Sequence, residues 1–299
     1  MNFPKMMRVR QTFDSREVDD IAAEVQAGMA ALDMSSKVKP GQSVAVACSS
    51  RGITNYAAIV KAVVSSLKAL QLDVFIFPAM GSHGSATAEG QQRVLEHLGI
   101  SEQTVDAPVR SSLDVVQLGE TKEGIPVYMD RLASEADHIV LVNRIKKHTE
   151  FEHKFESGLM KMMAIGLGKQ AGAAMYHQAM LSFGYANVIQ SIADNVVQQA
   201  TILCGVGIVE NGYGQTAKIG ICPCEKIEER EVVLFKLAKQ LSPALPFEAA
   251  DVIVIDEMGK DISGTGFDTK VVGRIGLPLV TPDPESPNIK RIVVCDLTE

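Results

Sequence analysis

Basic and histidine side chains concentrate in a few short segments, and their types suit proton transfer and anion binding. His83 stands between glycines in the segment Gly-Ser-His-Gly, where an imidazole is accessible and titrates near neutral pH. Arg51 follows Ser50, and its planar guanidinium suits a carboxylate or a phosphate. Residues 144–148, RIKKH, place four basic groups in five positions. The chain therefore carries groups suited to acid–base chemistry on a small anionic molecule.

A glycine-rich segment, residues 157–169 (SGLMKMMAIGLGK), adds the means to hold a phosphate-bearing ligand. Gly158 permits close approach of the backbone, Lys169 adds positive charge, and the amine of Lys161 can form a covalent bond to a cofactor. His177 follows in an Ala- and Met-rich stretch that is typical of a helix, and imidazole is a good ligand for nickel.

Each of these segments, taken alone, also fits an ordinary structural role. Arg51 could be a surface arginine, His83 a loop histidine with a structural hydrogen bond, and His177 a satisfied helical histidine. The basic run could be a solvated face. His153 follows His148 closely, so two histidines compete for one role.

The secondary structure around these segments bears on whether their role is functional or structural. Short apolar runs alternate with amphipathic stretches, which predicts an α/β fold with a mostly parallel, Rossmann-like sheet and flanking helices. Since ligands bind beyond the carboxyl ends of such strands, Arg51, His83 and His148 are expected to converge on one cleft. The predicted strands are 43–48, 73–77, 113–118, 138–143, 202–209 and 251–255, and the predicted helices are 54–70, 85–98, 183–199 and 226–241.

The end of the chain differs in composition from the rest. Residues 278–288 contain four prolines and predict a linker, and an apolar, strand-like run follows it. We therefore predict a cofactor-binding and catalytic domain over residues 1–270, and a linker with the beginning of a second α/β domain over residues 271–299.

Composition and charge narrow the class of partner. A net charge of −7, 5% aromatic residues and no Trp argue against nucleic acid and acidic membrane surfaces. No apolar run of about 18 residues predicts a membrane span, and no apolar core of a signal peptide follows the N-terminus. The five cysteines are irregularly spaced, as is typical of reduced thiols. We expect a cytoplasmic protein that binds a small molecule, of undetermined oligomeric state.

Taken in order, the segments resemble the N-terminal domain of the nickel-pincer-nucleotide lactate racemase family. The series runs from Arg51 after the first strand, through the histidine in Gly-Ser-His-Gly and I-x-x-H, to S-G-x-x-K and then His177. The resemblance covers most of the chain, from about residue 10 to about residue 260.

This resemblance implies a cofactor and the residues that bind it. The cofactor would be nickel held by pyridinium-3,5-bisthiocarboxylic acid mononucleotide, the nickel-pincer nucleotide. Lys161 would be attached to it covalently, His177 would ligate the nickel, and Ser50, Ser157 and Gly158 would contact the nucleotide.

The resemblance also implies the residues that act on the substrate. His83 and His148 would be general acid and base groups on opposite sides of it. His148 is preferred to His153 because I-x-x-H continues the strand in the same way. Arg51 and Lys270 would hold the substrate carboxylate.

The implied function is that of a racemase or epimerase acting on a small 2-hydroxy acid. The hydroxyl proton would pass to one histidine while the C2 hydride moves to the cofactor, and return of the hydride to the other face of the keto acid inverts the centre. Two other functions stay open: a 2-hydroxy acid oxidoreductase with the same cofactor, and a non-catalytic nucleotide- or anion-binding protein.

Overall fold

A mostly parallel sheet with helices on both faces forms the body of the protein, as the alternating pattern predicts. The structure is a computed structural model that describes residues 7–149, 151–274, 283 and 285–298. Within these residues the strands are β1 (Ser43–Cys48), β2 (Asp73–Pro78), β3 (Val115–Glu120), β4 (Pro126–Asp130), β5 (His138–Arg144), β6 (Ile202–Glu210), β7 (Thr216–Pro223), β8 (Ala249–Ala250), β9 (Ile253–Met258), β10 (Asn288–Ile289) and β11 (Ile292–Leu297). The helices described are α1 (Ile21–Ala30), α2 (Tyr56–Lys68), α3 (Ala88–His97), α4 (Glu102–Val105), α5 (Arg131–Glu135), α6 (Leu159–Lys161), α7 (Lys169–Phe183), α8 (Tyr185–Gln199) and α9 (Ile227–Leu241).

The order of strands in the main sheet is β2-β1-β5-β6-β7. The first four strands are parallel, and β7 pairs antiparallel with β6 at the edge. From β1 the chain goes to β2 on one side and later returns to β5 on the other. The strand order therefore reverses between β1 and β5, and a crevice is expected at the carboxyl ends of these two strands.

Alternate residues of the strands enter two separate cores, one on each face of the sheet. In β1, Val44 and Val46 pack with residues of α1 and α2, whereas Ala45 and Ala47 pack with residues of α7 and α8. All four side chains are fully buried. Because both faces of the sheet are covered, the loops at the strand ends are left to form a ligand site.

The helix α3 begins at a capping threonine. Thr87 accepts a hydrogen bond from the backbone N–H of Gly90 at 3.0 Å. The helix therefore starts at Ala88, three residues later than the predicted bound at residue 85.

Two strands differ from the prediction. The predicted strand at 113–118 is β3, but it forms a separate antiparallel hairpin with β4 instead of joining the main sheet. The edge strand β7 was not predicted. It forms because residues 211–215 make a tight turn, in which the Asn211 side chain accepts hydrogen bonds from the backbone of Tyr213 and Gln215.

The last part of the chain forms its own strand pairs. Parallel pairing joins β9 to β11 and β8 to β10. β9 lies within the predicted first domain and β11 within the predicted second, and the boundary at residue 270 stays a prediction. Most of the predicted linker, residues 278–288, lies outside the described residues. Among the helices that are described, none has both the length and the apolar character needed to cross a membrane.

Candidate active site

A cavity of about 240 Å³ opens at the carboxyl ends of β1, β2 and β5. Residues 49–51 follow β1, residues 79–83 follow β2, and residues 146–149 follow β5, and all three segments contribute to its wall. The turn at Lys161 and the helix α7 complete the wall. The cavity therefore lies where the reversal of strand order places a ligand.

The cavity brings together most of the residues singled out in the sequence. Seven of the nine predicted site residues line it, and the other two, Gly158 and Lys270, lie elsewhere. The seven are Ser50, Arg51, His83, His148, Ser157, Lys161 and His177.

The lining is strongly cationic. Its charged side chains are Arg51, Lys146, Lys147 and Lys161, and none of the described residues that line the cavity is an Asp or Glu. Burial first, and then the nearby charges of Arg144 and Arg51, lower the pKa of Lys146 to about 8. The cavity thus has the electrostatics of a site for an anionic ligand.

His148 is held in the wall as a neutral imidazole. Its ring packs against Phe151 and Tyr185 at centroid distances of 4.7 and 6.1 Å, and its Nε2 lies 2.5 Å from Nζ of Lys161. Burial first, and then the charges of Lys161 and Lys270, lower the pKa of His148 to about 2. At neutral pH this side chain is therefore an uncharged imidazole.

His83 approaches the cavity from the loop after β2. Its Nδ1 contacts Oγ of Ser50, and partial desolvation together with the charge of Arg51 lowers its pKa. The loop is fixed from behind by the buried Gln91, whose amide donates to the carbonyl oxygens of Gly81 at 2.8 Å and of His83 at 3.3 Å. The second histidine is therefore also biased towards the neutral form.

Most of the glycine-rich segment, residues 157–169, is helical. Lys161 is the last residue of α6, and the chain continues directly into a π-helical turn, Met162–Gly166. Gly158 was predicted to contact a nucleotide, but a Cβ at this position would lie 2.2 Å from Oε1 of Glu231. Oε2 of Glu231 accepts a hydrogen bond from the backbone of Met160 at 2.8 Å. Position 158 therefore requires glycine because the Glu231 carboxylate packs closely against its backbone.

Two other lysines that the sequence predicts to face a ligand, Lys169 and Lys270, have buried partners. Lys270, predicted to bind substrate, has a side chain that is 6% exposed, and its Nζ lies 2.8 Å from Oε2 of Glu156. Lys169 is fully buried and donates to the carbonyl oxygen of Pro78 at 2.8 Å and to Oε1 of Gln91 at 2.5 Å. Both ammonium groups donate to buried oxygen atoms, because a buried carboxylate or carbonyl needs hydrogen-bond partners.

Comparison with known proteins identifies the family and supports the fold. Residues 5–187, more than half of the chain, match the lactate racemase N-terminal domain family. The chain belongs to this family. Its fold is also similar to that of the lactate racemase apoprotein from Thermoanaerobacterium thermosaccharolyticum, with a TM-score of 0.57, 16% sequence identity and coverage of 81% of this chain. The chain spans 60% of the length of that lactate racemase. No curated protein matches the sequence.

The structure separates the two competing histidines. His148 lines the cavity, whereas His153 packs edge-on against Phe155 at a centroid distance of 4.6 Å, outside the lining. The candidate for the second acid–base group is therefore His148.

Several residues that support the candidate site were not singled out in the sequence. Asn143 lines the cavity at the end of β5, and its amide donates to the carbonyl oxygen of Gly158 at 2.8 Å. Gln91 precedes Leu95 by one helical turn on the buried face of α3, and Glu231 lies between Ile227 and Phe235 on the buried face of α9. A polar or charged residue within an apolar helical stripe is the signal that marks Gln91 and Glu231.

Proposed function

We propose that this protein is a racemase or epimerase that interconverts the stereoisomers of a small 2-hydroxy acid, with a nickel-pincer nucleotide as its cofactor. The observation that supports the proposal is that His83, His148, Lys161 and His177 line one cationic cavity. Membership of the lactate racemase N-terminal domain family supports the same class of reaction.

The residues of the cavity fit such a cofactor. A mononucleotide carries an anionic phosphate, which suits the cationic wall around Lys146 and Lys147. Within the described part of the chain, no three His, Cys, Asp or Glu side chains come together as a metal-binding group. A nickel ion here would accordingly take one protein ligand, His177, and its other ligands from the nucleotide. Lys161 would anchor the cofactor through its amine, with Ser50 and Ser157 beside it.

The chain's own side chains would bind the substrate and move its proton. When bound, the cofactor supplies reversible acceptance of the C2 hydrogen with its bonding electrons. Arg51 is exposed to the cavity and has no carboxylate partner within the described residues, so its guanidinium is available to hold a substrate carboxylate in bidentate fashion.

The neutral His148 would accept the substrate hydroxyl proton, and His83 would do so for the other stereoisomer. The two imidazoles come from the ends of different strands, β5 and β2, which allows them to approach the substrate from different directions. Each proton transfer would contribute a factor of roughly 10²–10⁴ to the rate.

Intact-protein mass spectrometry and nickel analysis after co-expression with the cofactor-making enzymes test the cofactor assignment. The wild type should carry a cofactor-sized mass and nickel. Lys161→Arg, which keeps the charge without the lysine amine, should carry no covalent mass. His177→Ala should keep the mass and lose nickel. A wild type without added mass or nickel would contradict the proposal and favour a simple anion-binding protein.

The loaded protein is then tested with single enantiomers of 2-hydroxy acids deuterated at C2. Racemisation should give the opposite enantiomer with deuterium retained at C2. Net formation of a keto acid, or loss of deuterium to solvent, would instead indicate an oxidoreductase or elimination reaction. The variants His83→Gln and His148→Gln should each lose at least about 100-fold in kcat.

A further inference from the structure

The loop that carries His148 is closed at its base and braced by a carboxylate. Lys146 and Ser157 exchange two backbone hydrogen bonds, of 2.9 and 3.1 Å, and so form the base of the loop. The side chain of Glu156 is 4% exposed, and its Oε2 accepts a hydrogen bond from the backbone N–H of His148 at 2.5 Å. The backbone position of His148 therefore depends on the Glu156 carboxylate.

A distant segment of the chain binds the same loop. Nζ of Lys270 donates to Oε2 of Glu156 and to the carbonyl oxygen of Phe151, both at 2.8 Å. Oγ1 of Thr269 donates to the carbonyl oxygen of Thr149 at 2.7 Å. Three hydrogen bonds thus join residues 269–270 to the loop of His148. Gly264, a few residues earlier, lines the cavity itself.

The Glu156–Lys270 pair is the charged part of this contact, and both side chains are nearly fully buried. Burial raises the pKa of Glu156, and the hydrogen bond and charge of Lys270 act in the opposite direction. Removal of one partner from a buried pair leaves an uncompensated charge, whereas removal of both charges is tolerated far better. Lys270 therefore favours the ionised form of Glu156, which is the stronger acceptor for the N–H of His148.

We propose that Glu156 and Lys270 are a positioning pair for His148, through which residues 269–270 fix the imidazole in the cavity. The catalytic consequence rests on the proposed function, but the positioning does not. This role differs from direct binding of a substrate carboxylate by Lys270, and the two roles have different consequences when Glu156 is changed together with Lys270.

The test compares Lys270→Met with the double variant Glu156→Gln/Lys270→Met. Lys270→Met leaves an unpaired buried carboxylate and should lower kcat of the loaded enzyme by about tenfold or more, since small displacements of a catalytic group have large effects. The double variant restores a neutral acceptor for the His148 N–H and should recover most of that loss. If Lys270 binds substrate, the double variant will instead be as impaired as Lys270→Met, with a raised KM.

A second measurement follows His148 in the protein without cofactor. The imidazole signals of ¹³C-labelled histidine, assigned with His148→Gln, should shift or broaden in Lys270→Met and return towards the wild-type position in the double variant. His138 lies at the opposite end of β5 and should be unchanged. Lys290→Met, which breaks an exposed ion pair with Asp251, is the matched control and should leave His148 unaffected.

A further double variant covers the case in which Lys270→Met does not fold. Glu156→Leu/Lys270→Met also lacks the buried charges but cannot accept the His148 N–H, so its His148 signal should be displaced while that of the Gln double variant is not. Identical His148 signals in the two double variants would overturn the positioning role. A different outcome is that the His148 signal recovers in Glu156→Gln/Lys270→Met while the loaded wild type shows no racemisation. That combination would refute the proposed function and leave the positioning role standing.

Discussion

Glu231 is a fully buried carboxylate, and its placement predicts a specific dependence of stability on pH. Its Oε2 accepts a hydrogen bond from the backbone of Met160, while Oε1 has no hydrogen-bond partner among the described residues. Burial raises its pKa from 4.5 to about 7. The folded state therefore binds a proton at Glu231 more tightly than the unfolded state does.

The magnitude follows from the two pKa values. At about 1.4 kcal/mol for each pKa unit, a rise from 4.5 to about 7 corresponds to about 3 kcal/mol. Because the pKa is raised on folding, this stabilisation is complete below pH 4.5 and is lost as the pH rises through about 7. Glu231→Gln cannot ionise, so it removes this part of the pH dependence.

Urea denaturation of wild type and Glu231→Gln at about pH 5 and about pH 8 measures the effect. The difference in free energy of unfolding between the two proteins should change by roughly 2–3 kcal/mol, with the variant gaining relative to wild type at the higher pH. Glu229→Gln, at an exposed position of the same helix, controls for general changes in charge. A difference between wild type and Glu231→Gln that is constant to within about 1 kcal/mol would refute the reasoning.

Three further predictions concern other parts of the structure. Gly158→Ala places a Cβ 2.2 Å from Oε1 of Glu231 and should lower the free energy of unfolding in urea by roughly 1–3 kcal/mol, with partial recovery in Gly158→Ala/Glu231→Ala. Sulfate, an anion of constant charge, should bind the cavity more weakly as the pH rises through about 8, because Lys146 loses its proton there. Calorimetry measures this binding. In Lys146→Met the binding should be weaker and should no longer depend on pH in this range. Ellman's reagent should modify the exposed Cys295 rapidly in the native protein, and Cys295→Ser should abolish this fast phase. The buried thiols of Cys48, Cys204 and Cys222 should react only when the protein unfolds, and burial raises the pKa of Cys48 and of Cys222 to about 12. The thiol of the half-buried Cys224, whose pKa burial raises to about 11, should react more slowly than that of Cys295.

The sheet and the cleft could be predicted from the sequence because both depend on local patterns. Each strand of the parallel sheet is an apolar run, and a parallel arrangement brings the carboxyl ends of such runs to one edge. Arg51, His83 and His148 follow three of these runs directly, so their convergence required no knowledge of which strands are neighbours.

The partners of Glu231 and Lys270 could not be predicted because they are distant in sequence. Glu231 is separated from Met160 by 71 positions, and Lys270 from Glu156 by 114. Periodicity shows that Glu231 lies on the buried face of a helix, but not which backbone N–H it meets. For Lys270 the local sequence does not distinguish an ammonium that faces a ligand from one that pairs with a buried carboxylate.

These distant partners all lie behind chain segments that carry side chains of the cavity. This shared position explains why so many ionisable groups are buried around the cavity. Loops at strand ends have no ladder of backbone hydrogen bonds to fix them, so side chains must supply acceptors and donors. Glu156 stands behind the loop of His148, Glu231 behind the turn of Lys161, and Lys169 with Gln91 behind the loop of His83. Each buried charge costs stability, and a carboxylate such as Glu231 would be replaced by an apolar residue if packing alone decided. Their presence behind three separate segments of the site is therefore best explained by the need to hold the side chains of the cavity in fixed positions.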